Sequence, residues 1–103
     1  MSQQRQGSTL ERQRVDIGEP AKYEVVMHND DFTPMDFVTF ILQEFFFKPF
    51  EEAERIMLKI HTSGQAVVGV YTYDIAISKK EKAIRLARAN EYPLRITVQP
   101  QNS

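Results

Sequence analysis

The chain has 103 residues, 42% of them hydrophobic, and its four glycines bring the apolar share to about 46%, the composition of a globular domain. Thirteen Lys and Arg against fourteen Asp and Glu leave a formal net charge of -1, which excludes the overall electrostatic pull of a dedicated non-specific nucleic-acid binder. With no cysteine there is no disulfide framework, no Cys zinc cluster and no thiol nucleophile, a usage that fits a reducing compartment, the cytoplasm by default.

The length predicts a single domain. From Met1 to Glu19 the only large apolar residues beyond the initiator are Leu10, Val15 and Ile17, too few to offset the entropy of ordering, so residues 1–19 are expected to form a flexible extension. The segment lacks the apolar core of a secretory signal, and Glu11, Asp16 and Glu19 make it a poor transit peptide. No stretch approaches the roughly 20 apolar residues of a membrane span. The core domain is expected over residues 20–103.

After Pro20, Tyr23, Val25 and Met27 alternate with Lys22, Glu24, Val26 and His28, which predicts a first strand. Asn29 to Phe32 is turn chemistry. Thr33 can cap a helix through its hydroxyl, Pro34 suits the first helical position, and Asp36 puts a negative charge in the first turn. The helix should run from Pro34 to Phe47, burying Val38, Ile41, Leu42, Phe45 and Phe46 while Asp36, Thr39, Gln43 and Glu44 point elsewhere.

Lys48-Pro49 interrupts the pattern, and a second helix is expected from Phe50 to Thr62, with Ala53, Ile56, Met57 and Ile60 inward and Gly64 as its C-terminal cap. Gln65 to Tyr73 reads as strand two. Thr72 or Asp74 can then cap a third helix running to Asn90, packed through Ala76, Ala83, Leu86 and Ala87 and ended by Tyr92-Pro93. Leu94 to Gln99 reads as strand three, and Pro100 to Ser103 as tail. The order β-α-α-β-α-β predicts a small α+β domain, a three-stranded sheet with helices on one face.

Four features carry potential chemistry. His28, Asn29, Asp30 and Asp31 crowd the exit of strand one, more polar groups than a turn into a helix needs. His61 closes the second helix beside Met57 and Ile60, and paired with Asp30 it could hold a cation. Met27, Met35 and Met57 sit beside both clusters, where thioethers fill a core or line an adaptable pocket. Lys79, Lys80, Lys82, Arg85 and Arg88 make the third helix basic, a solvated face or a docking surface for an acidic partner or RNA. The glycines are scattered, so no phosphate loop is present, and His28, Asp30 and His61 have poor spacing for a metal site.

Residues 22–41, KYEVVMHNDDFTPMDFVTFI, resemble the ClpS family of adaptors, and the resemblance continues through MLKIHTSG at 57–64, AVVGVYTYDIA at 66–76 and ANEYPLRITV at 89–98. It therefore spans the folded part from Lys22 to Gln99. The family recognises N-degrons and hands substrates to a Clp AAA+ unfoldase; it is not enzymatic and needs no cofactor. The resemblance implies that Asn29, Asp30 and His61 bind the α-ammonium and adjoining backbone of a substrate. It implies an apolar pocket walled by Met35, Val38, Met57, Ile60 and Leu94, with Asp31 and Thr33 shaping the entrance. Met35 would act as a gate that admits Leu, Phe, Tyr and Trp but not β-branched residues. Ile60 departs from the Val common in relatives, which affects Leu binding more than Phe binding.

Asp74 and Lys79 would dock on the N-terminal domain of ClpA or a related Clp ATPase, and the N-terminal extension would act in delivery. Physical chemistry is consistent with the implied ligand. A free α-amino group, with a pKa near 7.7 to 8.0, is an ammonium at neutral pH and needs acceptors. Two other readings stand beside this one: an RNA- or ribosome-associated module resting on the basic third helix, and a metal-dependent enzyme.

Overall fold

The computed structural model describes residues 20–102, so the extension expected over residues 1–19 lies outside the described residues. The elements follow the predicted order: β1 (Lys22–His28), α1 (Met35–Glu44), α2 (Phe50–Ser63), β2 (Gln65–Thr72), α3 (Tyr73–Ala89) and β3 (Arg95–Pro100). The strands form one antiparallel sheet in the order β2-β1-β3, and the protein is a small α+β domain.

β1 is central. Val25 and Met27 join Ala66 and Val68 of β2 and Ile96 of β3 in one apolar cluster with the helices. Val26, which alternates with these residues, is also only 2% exposed. Its pairing partners Val67 and Thr97 flank it on both sides, so a central position shields even the face that carries no helix. The register shifts between Val25 and Val26 opposite β2. Next to this bulge, a Cβ on Gly69 would collide with the ring of Tyr71, so a side chain there would force the ring to move.

α1 is shorter than the expected helix from Pro34 to Phe47. Pro34 is the N-cap, in an extended conformation, and no side chain caps the helix. Thr33 does not do so because its hydroxyl is bonded to Asp30. At the other end Phe46 turns into the core, Phe47 takes a left-handed φ of 55°, and Pro49 disfavours helical backbone at Lys48. Val38, Ile41 and Leu42 are buried as the periodicity predicts, whereas Phe45 is only partly covered. Thr39, expected outward, is also buried and returns its hydroxyl to the Met35 carbonyl at 3.2 Å.

α2 buries Ala53, Ile56, Met57 and Ile60 and runs to Ser63. Gly64 ends it with φ 92°, a conformation that strains any L side chain, and its N–H donates to the Ile60 carbonyl at 2.9 Å. Tyr73, expected to end strand two, instead opens α3, whose N-cap Thr72 makes no side-chain capping bond. Ala76, Ala83 and Ala87 are fully buried, small residues that let α3 approach the sheet closely; Leu86 is half-buried. α3 ends at Ala89, and Leu94, expected within strand three, precedes β3 and is buried. Pro100 belongs to β3, and the Gln101 N–H bonds the Lys22 carbonyl at 3.0 Å, so part of the expected tail joins the sheet. Among the described residues no helix is long and apolar enough to cross a membrane.

Candidate functional site

The polar segment after β1 is tied to the end of α2. The Asn29 N–H donates to the Gly64 carbonyl at 2.8 Å, which sets Asn29 and Asp30 against the turn that follows His61. His61 is exposed in the last turn of α2. Two distant stretches of sequence therefore meet beside the turn that leads into α1.

Asp30 is the fixed point of this turn. Its Oδ1 accepts the Phe32 N–H at 2.8 Å and the Thr33 N–H at 2.7 Å, and its Oδ2 accepts the Thr33 hydroxyl at 2.8 Å. Short carboxylates make such local turns because they reach backbone donors two and three residues ahead. An ionised carboxylate offers about four acceptor sites, so these three bonds orient Asp30 and leave it able to accept another donor. Partial burial pushes the Asp30 carboxyl up, but the Thr33 and Phe32 amides, the Thr33 hydroxyl and the Arg88 guanidinium together outweigh it and hold the pKa below the ordinary value. Asp30 is thus a preorganised anion at neutral pH.

The apolar candidates differ in exposure. Val38, Met57, Ile60 and Leu94 are 7%, 8%, 3% and 1% exposed and share one cluster contributed by α1, α2 and the segment before β3. Met35, the first residue of α1, is 48% exposed. Asp31 is exposed and Thr33 half-buried in the turn itself. Chemically, a fixed anion with a spare acceptor site suits a ligand with a cationic end.

His28, part of the same polar run, is not brought to this turn. Its Nε2 lies 2.9 Å from the Thr97 hydroxyl, and burial together with Arg95 lowers its pKa, so it is neutral at pH 7. Among the described residues no three His, Cys, Asp or Glu side chains are grouped to hold a metal ion. Arg88 is a contributor that sequence reasoning missed, since nothing in the spacing shows that the end of α3 returns toward Asp30.

Asp74 is exposed in the first turn of α3, whereas Lys79 is engaged within the molecule. Its ammonium donates to the Phe45 carbonyl at 2.8 Å and lies 4.3 Å from the Phe47 ring centroid and 5.3 Å from that of Tyr71. Burial, and then the neighbouring Lys82, lower its pKa. α1 has no basic residue in its own last turn, and Lys79 supplies the missing cation to the carbonyls at that end. Helical periodicity places Lys79 with the exposed basic run because it cannot show a long side chain reaching another helix. Lys79→Met is expected to cost about 1 to 2 kcal/mol, read as a lower Tm, with partial recovery in Lys79→Arg. An unchanged Tm in Lys79→Met would show that this contact contributes nothing.

The family described as "ATP-dependent Clp protease adaptor protein ClpS" matches residues 18–97. The chain is similar to the ATP-dependent Clp protease adapter protein ClpS of Syntrophus aciditrophicus, 54% identical over 82 residues, covering 80% of this chain and 77% of that one. The protein of the same name from Paraburkholderia xenovorans is 47% identical over 93 residues, covering 90% and 89% of the two chains. Among solved structures, Agrobacterium tumefaciens ClpS2 bound to L-phenylalaninamide superposes with a TM-score of 0.78 at 37% identity, over 81% of this chain and 100% of that chain.

Proposed function

The chain belongs to the ClpS family of Clp protease adaptors, which are not enzymes, and from that membership we propose that it binds N-degron substrates by their first residue and delivers them to a Clp AAA+ unfoldase in the cytoplasm. The observation that carries this reading is Asp30, an anion oriented by three hydrogen bonds in the turn before α1. A free α-ammonium matches that anion, with Asn29 and His61 as further acceptors. The phenylalaninamide in the Agrobacterium ClpS2 complex supports the same pairing, since it joins a free amine to a large apolar side chain. Asp31 and Thr33 shape the entrance, and Met35 restricts entry to large first side chains that are not branched at Cβ: Leu, Phe, Tyr and Trp.

Affinity follows from two halves. Charge-assisted hydrogen bonds contribute roughly 1.5 to 3 kcal/mol each, and burying a Phe or Leu side chain roughly 1.5 to 3 kcal/mol. After the cost of association this gives a Kd on the order of micromolar. A fluorescence anisotropy titration with a labelled peptide carrying a free N-terminal Phe, beside its N-acetylated form, tests the reading. Saturable binding lost on acetylation is the expected result; equal binding of both forms, or of neither, refutes it.

Ile60 tunes the pocket floor through one added methylene relative to Val. Ile60→Val is expected to raise affinity for a Leu-initiated peptide relative to a Phe-initiated one, by up to about tenfold. An unchanged ratio in competition titrations rejects this role. Asp74 and Lys79 complete the proposal as docking residues for the N-terminal domain of ClpA or a related Clp ATPase. For Lys79 that requires the ammonium either to act from its bonded position or to leave Phe45 and Phe47.

A further inference from the structure

The basic run of α3 gains a second property once folded. A groove of about 420 Å³ opens between Phe45, at the end of α1, and the C-terminal half of α3, lined by Lys82, Arg85, Leu86 and Ala89. Phe45, Leu86 and Ala89 make its floor almost wholly apolar, while Lys82 and Arg85 are exposed at its rim. α3 carries five cations against the two carboxylates Asp74 and Glu81, although the whole chain is at -1. Among the described residues, neither Lys82 nor Arg85 lies in an ion pair. None of the groove's lining residues belongs to the Asp30 site, and its Phe45 end lies the length of α1, roughly 15 Å at 1.5 Å per residue, from Met35, while Ala89 at its other end neighbours Arg88.

We propose that this groove docks an acidic peptide segment of a partner protein, one large apolar side chain of the segment seated on Phe45, Leu86 and Ala89 and flanking carboxylates paired with Lys82 and Arg85. Two independent features select that chemistry. The apolar floor rewards a hydrophobic group released from water, and the guanidinium and ammonium at the rim select carboxylates on either side of it. RNA fits less well, because the floor offers its bases no hydrogen-bonding partners and the net charge of the chain gives a polyanion no long-range attraction. Lys79 helps present the groove, since its bond to the Phe45 carbonyl fixes the backbone from which the Phe45 ring projects. The proposal goes beyond N-terminal recognition and does not depend on it.

The test titrates the full chain with a labelled, N-acetylated peptide in which one Phe is flanked by Glu on both sides. Acetylation denies the probe the Asp30 site, so failure here is separable from failure of N-degron binding. Saturable binding is expected, weakened on the order of tenfold or more by the surface variant Lys82→Glu/Arg85→Glu and similarly by Ala89→Trp, which fills the groove without removing its cations. Three results overturn the proposal: no binding, equal binding when the peptide's Phe is replaced by Ser, or displacement of the peptide by an oligouridine that binds more tightly. Sedimentation showing a dimer that Ala89→Trp dissociates would likewise overturn it, by assigning the groove to a second copy of the chain.

Discussion

Asp30→Asn is expected to weaken binding of a Phe-initiated peptide roughly 10- to 150-fold, the loss of one charge-assisted hydrogen bond of about 1.5 to 3 kcal/mol, while leaving the fold intact. Asn keeps a carbonyl oxygen for the Phe32 and Thr33 amides, and the Thr33 hydroxyl can rotate to accept from the new amide, so the turn survives the loss of charge. Asp30→Ala removes all three bonds and should lower Tm as well as affinity. Comparing the two variants by anisotropy and thermal melting separates charge from scaffold. An Asn variant with wild-type affinity would mean that the ammonium is held elsewhere.

The same carboxylate sets a pH dependence. Its folded pKa lies below the unfolded value, so the unfolded chain takes up the proton first as pH falls. The stability from Asp30 is therefore present above an ordinary Asp pKa of about 3.8 and is lost as pH drops from there through the folded value. His28, also lowered, acts with the same sign in a higher window, its contribution fading as pH falls below about 6.5. Asp30→Asn should abolish the more acidic part of this loss. Peptide binding has a separate upper limit near pH 8, where the α-ammonium deprotonates.

Leu94→Ala is the second large effect, and it falls on stability. Leu94 is 1% exposed in the cluster that holds Val38, Met57 and Ile60, so truncation leaves a cavity that costs about 2 to 5 kcal/mol. For a domain of this size that lowers Tm by roughly 10 to 30 °C, measurable by calorimetry. A shift below a few degrees would mean that the site collapses readily and that Leu94 is not a fixed wall. The proposed pocket is built from the core itself, so variants of its floor must be assayed below their own melting range before any affinity change is read as specificity.

Much of this was legible in the sequence. Alternation at Tyr23, Val25 and Met27, the stripe from Val38 to Leu42 and the glycine at 64 each report a local rule, and each places its element correctly. The order of elements and the family resemblance agree with the structure and with the family match. The misses are long-range. Lys79 turns inward because α1 ends near α3, and Thr33 serves Asp30 instead of α1. No spacing rule over a window of residues carries such information. The bond from Asn29 to Gly64 belongs to the same class, since it joins two turns that were each readable alone.

The placement of β1 between β2 and β3 has a consequence for how the chain acquires its shape. Tyr23 pairs with Pro100 and His28 with Arg95, so one edge of the earliest strand waits for the latest. On a ribosome, β1, the helices and β2 all emerge while Val25, Val26 and Met27 still lack a neighbour on that side. Closing so long a loop makes folding slower than in a helical domain of equal length, and it leaves an apolar strand edge open to other chains until β3 has emerged. A nascent chain stalled before Leu94 should therefore be protease-sensitive and prone to aggregate, and should become compact only when the last strand is released.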